Sequence, residues 1–194
     1  MLRTVLLTMF LSSLMLADTL IDLNFNGTDL EVSGSAIKRG GSTNAYYGFT
    51  YLNAEDEFDE QQTLLSADAI LIGRTYSDGW LFGLGARAMY APLEFGEGDN
   101  SVEKTFTGIP LQAKVLYRLP IRLQTYITGI LLYGPSVLTF GDFVGYREAR
   151  LEADVELFEG GMVYLGGRQI IMTPDEGDEY TFNSAGFIGL RFGF

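Results

Sequence analysis

Residues 147–158 read REARLEADVELF, and apolar and charged side chains alternate along the run. The apolar set is Ala149, Leu151, Ala153, Val155 and Leu157, and the charged set between them is Glu148, Arg150, Glu152, Asp154 and Glu156. Successive side chains of a β-strand point to opposite faces of the sheet. The run therefore predicts a strand with one apolar face and one ionic face.

Two arrangements satisfy such a strand. In a water-soluble sandwich, the apolar face packs on a second sheet and the charged face meets water. In a transmembrane barrel, the apolar face meets lipid and the charges point into the lumen. The rest of the chain has to decide between them.

Eight strand-like segments of about 11 to 14 residues follow one another from residue 43, longer than is usual in soluble sheets. They are 43–53, 63–76, 80–93, 107–119, 122–133, 147–158, 162–173 and 181–194. Tilted strands of this length cross a bilayer. Short and long connections alternate between them, as periplasmic turns and extracellular loops do in an outer-membrane barrel. We therefore predict an all-β, antiparallel, up-and-down transmembrane barrel.

The segment 19–38 leaves the number of strands open. Asn26-Gly27 is a strong hairpin signal between two alternating runs. If both arms cross the membrane the barrel has ten strands, and if the hairpin tucks under the rim it has eight. Both totals are even, as single-chain bacterial barrels require, and we favour ten.

The face opposite the apolar one carries charges of both signs. This set is Asp68, Arg74, Arg87, Lys114, Arg118, Glu148, Arg150, Glu152, Asp154, Glu156, Arg168 and Arg191. An unpaired buried charge costs several kcal/mol, and a narrow barrel is filled by its own side chains. We therefore predict a salt-bridged interior. On the last strand, the alternation assigns Phe182, Ile188 and Phe192 to lipid, opposite Asn183 and Arg191.

Aromatic side chains cluster near the predicted strand ends, where amphipathic rings suit the two membrane interfaces. They are Tyr46, Tyr47, Tyr51, Tyr76, Trp80, Tyr90, Tyr117, Tyr133, Tyr146, Phe158 and Phe194. The connection 134–146 is unusually apolar. It is expected either to fold over the mouth of the barrel or to bind a partner.

The first 17 residues have the layout of a secretory signal, with Arg3 before a short apolar stretch and Ala17 at the cleavage position. The alternative is a buried N-terminal helix. Residues 18–194 then form one barrel domain. The formal net charge of the chain is −12, which argues against a nucleic-acid partner.

The chain contains neither histidine nor cysteine. This excludes His-assisted serine catalysis, imidazole metal ligands and thiol chemistry. We predict no catalytic residues, no metal and no cofactor. Crowded carboxylates on one strand face leave a barrel enzyme acting on lipid or peptide as a remote alternative.

Acidic residues concentrate in the predicted extracellular loops. The candidates are Asp56, Glu57, Asp59, Glu60, Asp175, Glu176, Asp178 and Glu179. Carboxylates are ligands for divalent cations, which would bridge them to lipopolysaccharide phosphates. The alternative is a rim of solvated charges.

The chain ends in Phe194, with Phe192 on the same strand face. This ending resembles the signal read by the barrel-assembly machinery of Gram-negative bacteria. The segments IDLNFNGTDLEVSG (21–34), YGPSVLTFGDFVGYREARLEADV (133–155) and MVYLGGRQI (162–170) resemble the YfaZ family of outer-membrane proteins. The resemblance implies a small barrel of the OmpA/OmpX type in the outer membrane, without an established activity.

Three functions follow for such a barrel. The first is a monomeric structural or interaction protein, in contact with outer-membrane lipid and lipopolysaccharide. The second is a narrow channel for small solutes, which requires a continuous water path through the lumen. The third is the barrel enzyme, which needs a carboxylate pair isolated from Arg and Lys.

Overall fold

The computed structural model describes residues 18–74, 79–95 and 102–194. The predicted secretory signal, residues 1–17, lies outside the described residues. The described part of the chain holds no helix with the length and hydropathy of a bilayer crossing.

Twelve β-strands are formed by the described residues, together with one short 3-10 helix at Ser136–Leu138. The strands are β1 (Asp18–Phe25), β2 (Leu30–Lys38), β3 (Thr43–Glu55), β4 (Gln61–Arg74), β5 (Trp80–Phe95), β6 (Val102–Gly108), β7 (Leu111–Arg118), β8 (Thr125–Gly134), β9 (Thr139–Gly141), β10 (Phe143–Phe158), β11 (Gly161–Pro174) and β12 (Tyr180–Gly193).

Ten of these strands close into an antiparallel barrel. The ring runs β1, β2, β3, β4, β5, β7, β8, β10, β11 and β12, and β12 pairs back to β1. The hairpin of β1 and β2 is part of the wall, which confirms the ten-stranded prediction. Strands β6 and β9 lie outside the ring. Strand β6 pairs with Met89 to Phe95 of β5, and β9 pairs with β6.

The two ends of the barrel differ in their connections. We call the end where β1 begins and β12 finishes the lower end, and the opposite end the upper end. Lower connections such as 39–42 and 159–160 are short. At the upper end, three connections are also short, namely 26–29, 56–60 and 175–179. The difference in length comes from the two other upper connections. One of them carries β6, and the other carries the 3-10 helix and β9. The predicted Pro120-Ile121 turn is wider than expected, because β7 stops at Arg118 and β8 begins at Thr125.

An apolar belt surrounds the outside of the barrel. Leu71, Leu84, Leu131, Leu151 and Leu165 point outward from five strands and are 58–72% exposed. On β10, the even-numbered charged side chains face the lumen and the odd-numbered apolar ones face outward, which is the orientation that the alternation predicts. The apolar faces of β5 and β7 also point outward.

The predicted orientation of Phe182 is wrong. Its side chain is fully buried in the barrel, because β12 contains an irregularity that places Asn183 opposite Ile170 and Thr181 opposite Ile171. One extra residue in a strand shifts the alternation by one position on one side of it. Phe182 and Asn183 therefore both lie inside, and the alternation read from Ile188 and Phe192 does not extend past the bulge.

The upper half of the lumen is apolar rather than ionic. We call this part the upper plug, and its buried side chains are Leu52, Ala54, Leu64, Met89, Ala91, Leu93, Phe106, Ile130, Leu132, Phe143, Tyr146, Ile170, Met172, Tyr180 and Phe182. Phe106 of β6 reaches into it, 5.3 Å from the Tyr146 ring and 5.8 Å from the Phe143 ring between centroids. Of the apolar segment 134–146, Phe143 and Tyr146 therefore contribute to the plug, whereas Val137 and Phe140 are exposed, and Tyr146 is not at the membrane interface.

Candidate functional site in the barrel lumen

A cluster of buried charges lies beneath the upper plug. Glu31 of β2 accepts hydrogen bonds from Arg150 at 2.7 and 2.9 Å, and it also forms an ion pair with Arg168. Arg150 Nε lies 2.5 Å from a carboxylate oxygen of Glu152. Charged hydrogen bonds of this kind are stronger than neutral ones, and here they offset the cost of removing the charges from water.

Arg191 of β12 forms the second centre of the cluster. Its guanidinium lies 2.5 Å from Asp154 and 3.3 Å from Glu152, and it pairs with Asp22 on β1. Thr128 donates a hydrogen bond of 3.3 Å to Asp154. The cluster thus links strands from both sides of the junction between β12 and β1.

Asp29 and Asn183 mark the upper border of the cluster. Asn183 accepts hydrogen bonds from Nε and Nη2 of Arg168 at 3.0 and 2.9 Å, and donates one of 3.0 Å to Asp29. The β1–β2 hairpin is shorter than the strands on either side of it, β12 and β3. Asp29 and Asn183 therefore lie at the place in the wall where β12 comes next to β3. Asn183 also donates to the carbonyl of Glu55 on β3.

Arginine side chains of the cluster stack on aromatic rings that are fitted against glycines. Tyr164 lies opposite Gly189, and Phe187 lies opposite Gly166, in the β11–β12 pairing. A Cβ atom at Gly189 would fall 2.2 Å from the Tyr164 ring. The Arg191 guanidinium is 4.8 Å from the Tyr164 ring centre, within the range of cation–π attraction. The glycines therefore make room for the rings that hold the arginines.

A further ion pair borders the upper plug. Tyr146 donates a hydrogen bond of 2.7 Å to Glu148, and Arg87 lies 3.4 Å from the same carboxylate. Tyr146 is fully buried and its ring packs on Phe106. The hydroxyl of Tyr146 thus connects the upper plug to the buried charges below it.

The structure brings most of the predicted interior charges into the lumen. Seven of them take part in the ion pairs above, namely Arg87, Glu148, Arg150, Glu152, Asp154, Arg168 and Arg191. Asp68 and Lys114 line the lumen without an ion pair among the described residues. Glu156 is half-buried near the lower end of β10, again without one.

The remaining two residues of the predicted network, Arg118 and Arg74, are not among the lumen charges described above. Arg118 is exposed at the end of β7, where the strand leaves the barrel, so it is not an interior charge. The side chain of Arg74 lies outside the described part of the chain, although its backbone ends β4.

Three charged residues of the cluster were missed in the sequence, namely Asp22, Asp29 and Glu31. The available signal was the alternation of Ile21, Leu23 and Phe25, which places Asp22 on the inner face if the hairpin crosses the membrane. Asp29 lies in the connection between the arms, where no periodicity predicts burial.

The acidic loop residues do not form one site. Asp56 is buried and accepts hydrogen bonds from the Phe58 and Glu60 amides at 2.8 and 3.0 Å and from Tyr180 at 2.6 Å. It therefore orders its own loop. Glu57, Asp59, Asp175, Glu176 and Asp178 are exposed, and Glu179 pairs with Arg147. No group of three or more acidic residues among those described is arranged to hold a metal ion, and cation binding stays a prediction.

The predicted assembly signal lies at the lower end. Phe192 is half-buried on the outward face of β12, and Phe194 is exposed. The backbones of Phe194 and Thr19 exchange two hydrogen bonds of 2.9 and 3.1 Å. Recognition of this segment by the assembly machinery stays a prediction.

An internal cavity of about 260 Å³ occupies the lumen below the upper plug. Inward side chains near its lower end, such as Leu20, Ser35, Tyr46 and Tyr126, are partly exposed. Tyr46 therefore faces the lumen, contrary to its predicted interface position. The side chains of the plug are at most 8% exposed. Among the described residues, the lumen is thus accessible to solvent at the lower end and closed by the upper plug at the other.

Comparisons with known proteins give similar folds but no family. No protein-family model matches the chain, and no curated protein matches it. One similar solved structure is the β domain of the Bordetella autotransporter BrkA, with a TM-score of 0.48 and 13% identity over 92% of this chain and 98% of that one. The resemblance to the YfaZ family therefore stays a prediction.

Two larger barrels are also similar. The outer-membrane channel DcaP of Acinetobacter baumannii has a TM-score of 0.41 and 11% identity, over 89% of this chain and 54% of that one. A porin refined at 1.8 Å has a TM-score of 0.35 and 12% identity, over 92% of this chain and 58% of that one. This chain thus spans little more than half of either protein.

Proposed function

We propose that this protein is an outer-membrane barrel with a structural or interaction role and a lumen that does not conduct. The observation that carries the proposal is the closed upper plug above the paired charges, inside a wall whose outer face is apolar. A channel needs a continuous water path, and here the path ends at the plug. No catalytic activity is part of the proposal.

The dimensions of the outer belt support a membrane location. On β5, Trp80, Phe82, Leu84 and Tyr90 all point outward, with Trp80 and Tyr90 at the two ends of the row. The ten steps from Trp80 to Tyr90, at about 3.3 Å each on strands tilted by about 40°, span about 25 Å along the barrel axis. This is the height of the apolar band of outer-membrane barrels, with aromatic residues at both borders.

The same proposal includes the expected surroundings of the protein. Membership of the YfaZ family, a Gram-negative outer membrane, assembly by the barrel-assembly machinery and contact with lipopolysaccharide are all consistent with the belt and the aromatic ending. Fractionation combined with heat-modifiable gel migration tests the location, because a folded barrel migrates differently before and after boiling.

The first prediction concerns the belt. Replacing Leu84, 72% exposed at mid-height, by arginine is expected to destabilise the membrane-inserted barrel by about 2–4 kcal/mol, since a charge would face hydrocarbon. Urea titration in lipid vesicles measures the loss. Leu123→Arg is the matched control, because Leu123 is 61% exposed in the lower turn and outside the belt. An equal loss of stability in the two variants would contradict the assignment of Leu84 to a belt that faces lipid.

The second prediction concerns the lumen. In planar bilayers, the purified protein is expected to give no discrete openings, because the upper plug leaves no water path. A classical porin in the same bilayers shows that openings are detectable. Reproducible unitary currents from the pure, folded protein would favour the channel instead.

A further inference from the structure

The sequence contains a single Asn-Gly pair, Asn26-Gly27, in the connection between β1 and β2. Such a pair usually serves a tight hairpin in which the glycine adopts a left-handed backbone. Here the connection covers residues 26–29, and the backbone of Gly27 is not left-handed. A Cβ atom at this glycine would meet no atom within 4 Å. The turn therefore does not require glycine at position 27.

The side chain of Asn26 is held at both ends of its amide. Its Oδ1 accepts hydrogen bonds from the backbone amides of Thr28 and Asp29 at 2.8 and 2.7 Å, as in an Asx turn. Its Nδ2 donates to a carboxylate oxygen of Asp29 at 3.0 Å and to the carbonyl of Gly186 on β12 at 3.1 Å. The backbone pairing of β1 with β12 ends at Phe25. The Asn26 amide thus continues the contact between the two strands beyond their last backbone pair.

Asp29 joins this turn to three other strands. It is 4% exposed, and one of its carboxylate oxygens accepts a hydrogen bond of 3.1 Å from the backbone amide of Glu55 on β3. The other oxygen accepts one of 3.0 Å from Asn183 on β12 and lies 3.5 Å from Arg168 on β11. This second oxygen is the one that Nδ2 of Asn26 contacts. A carboxylate in place of the Asn26 amide would lose the donor and bring a negative charge against a buried one, which is costly.

An Asn-Gly pair also carries a reaction of its own. After losing its proton, the backbone nitrogen of Gly27 attacks Cγ of Asn26 and forms the new C–N bond of a cyclic imide. Nδ2 leaves with that proton as ammonia. Water then opens the imide at one of its two carbonyls, which yields either aspartate or isoaspartate. Glycine favours the attack because it has no side chain to hinder it and leaves the backbone free to bend.

We propose that Asn26 is a modification site whose reactivity depends on barrel closure: it deamidates in the unfolded chain and is protected in the closed barrel. Ring closure must turn Cγ onto the nitrogen of Gly27 and release Nδ2, and both movements break the hydrogen bonds that fix the Asn26 amide. The bond to Gly186 exists only when β12 lies beside β1, so the unfolded chain lacks it. A chain that reacts before the ring closes carries a carboxylate against Asp29 and forms a less stable barrel.

The test compares the folded protein in detergent with the urea-unfolded chain under mildly alkaline conditions. Digestion and tandem mass spectrometry locate the acid that forms and measure its rate of formation at each asparagine. We expect Asn26 to react at least 10-fold faster in the unfolded chain than in the barrel. Asn24 is the internal control, because it is followed by Phe25 and is expected to react far more slowly when unfolded. Gly27→Ala is expected to fold normally and to slow the reaction of the unfolded chain at least 10-fold.

The effect of the product on stability is measured separately. Asn26→Asp is expected to lower the midpoint of urea unfolding, and failure of this variant to fold is the same result in stronger form. Asn44→Asp is the matched control and is expected to leave the midpoint unchanged. Asn44 is on β3 near the lower end, and its Oδ1, which an aspartate retains, is the atom that accepts a hydrogen bond of 3.3 Å from the Gly40 amide.

Three outcomes would overturn the proposal. They are equal rates at Asn26 in the folded and unfolded chains, an unfolded rate that Gly27→Ala does not change, and an Asn26→Asp barrel as stable as the parent protein. If Gly27→Ala does not fold, its comparison still holds, because that rate is measured on the unfolded chain. None of these measurements depends on conductance or on membrane location, so their failure and that of the proposed function are distinguishable.

Discussion

Replacing Arg168 by leucine is expected to destabilise the barrel by about 3–5 kcal/mol. The Arg168 side chain is 1% exposed, and it contacts Glu31, Asp29 and Asn183. Removing it leaves Asp29 without its cation, and Glu31 with Arg150 alone. Breaking a buried ion pair from one side costs more than the pair contributes, because the remaining charge stays buried.

The measurement is urea unfolding of Arg168→Leu in vesicles, followed by the fluorescence of the single tryptophan, Trp80. Arg147→Leu is the matched control. Arg147 is on the same sheet and also pairs with a glutamate, but its side chain and that of Glu179 are 49% and 56% exposed. Exposed pairs contribute about 0–1 kcal/mol. If the two variants lose equal stability, the buried cluster is not a major source of stability.

The second large effect is expected at Gly189. A valine there would place its Cβ 2.2 Å from the Tyr164 ring, which is itself held against Arg191. Overpacking of a core costs about 1–3 kcal/mol, and this contact is closer than any that side chains tolerate. We expect a loss above about 3 kcal/mol or failure to fold.

Gly129→Val is the control for this variant. A Cβ at Gly129 meets no atom within 4 Å, and the residue is also in the interior of a barrel strand. Heat-modifiable migration reports whether each variant folds. Adding Tyr164→Ala to Gly189→Val is expected to restore folding in part, because it removes the ring that the valine meets. Folding of Gly189→Val at the normal level would contradict the ring-on-glycine arrangement.

Period-two alternation predicted the architecture well, because in a barrel every wall residue points either to the outside or to the lumen. Along β5, β7 and the part of β10 from Gly145 to Glu156 the alternation is uninterrupted, and the predicted faces agree with the structure. It failed at Phe182, where a single bulge changed the face of the residues beyond it. A bulge leaves no periodic signal of its own.

The lumen was harder to predict than the wall. Alternation identifies the inner face, but it does not say at what height an inward residue lies. The division of the lumen into the upper plug and the charges below it depends on the register between strands. Phe106 adds a second difficulty, because it enters the plug from β6, which lies outside the ring. The fit of Tyr164 on Gly189 joins residues on different strands, and neither residue alone indicates the other.

The position of the ionic cluster has a consequence for folding kinetics. The junction of β12 and β1 joins strands from opposite ends of the sequence, with register only from Leu20 to Phe25 on β1. Closing so large a loop is the most entropically demanding step. Arg191 and Asp22 face each other across this junction, and Arg168 reaches Glu31 on the strand beyond. The Asp22–Arg191 and Glu31–Arg168 pairs need residues from both sides of this junction, so we expect these two pairs to form only when the ring closes.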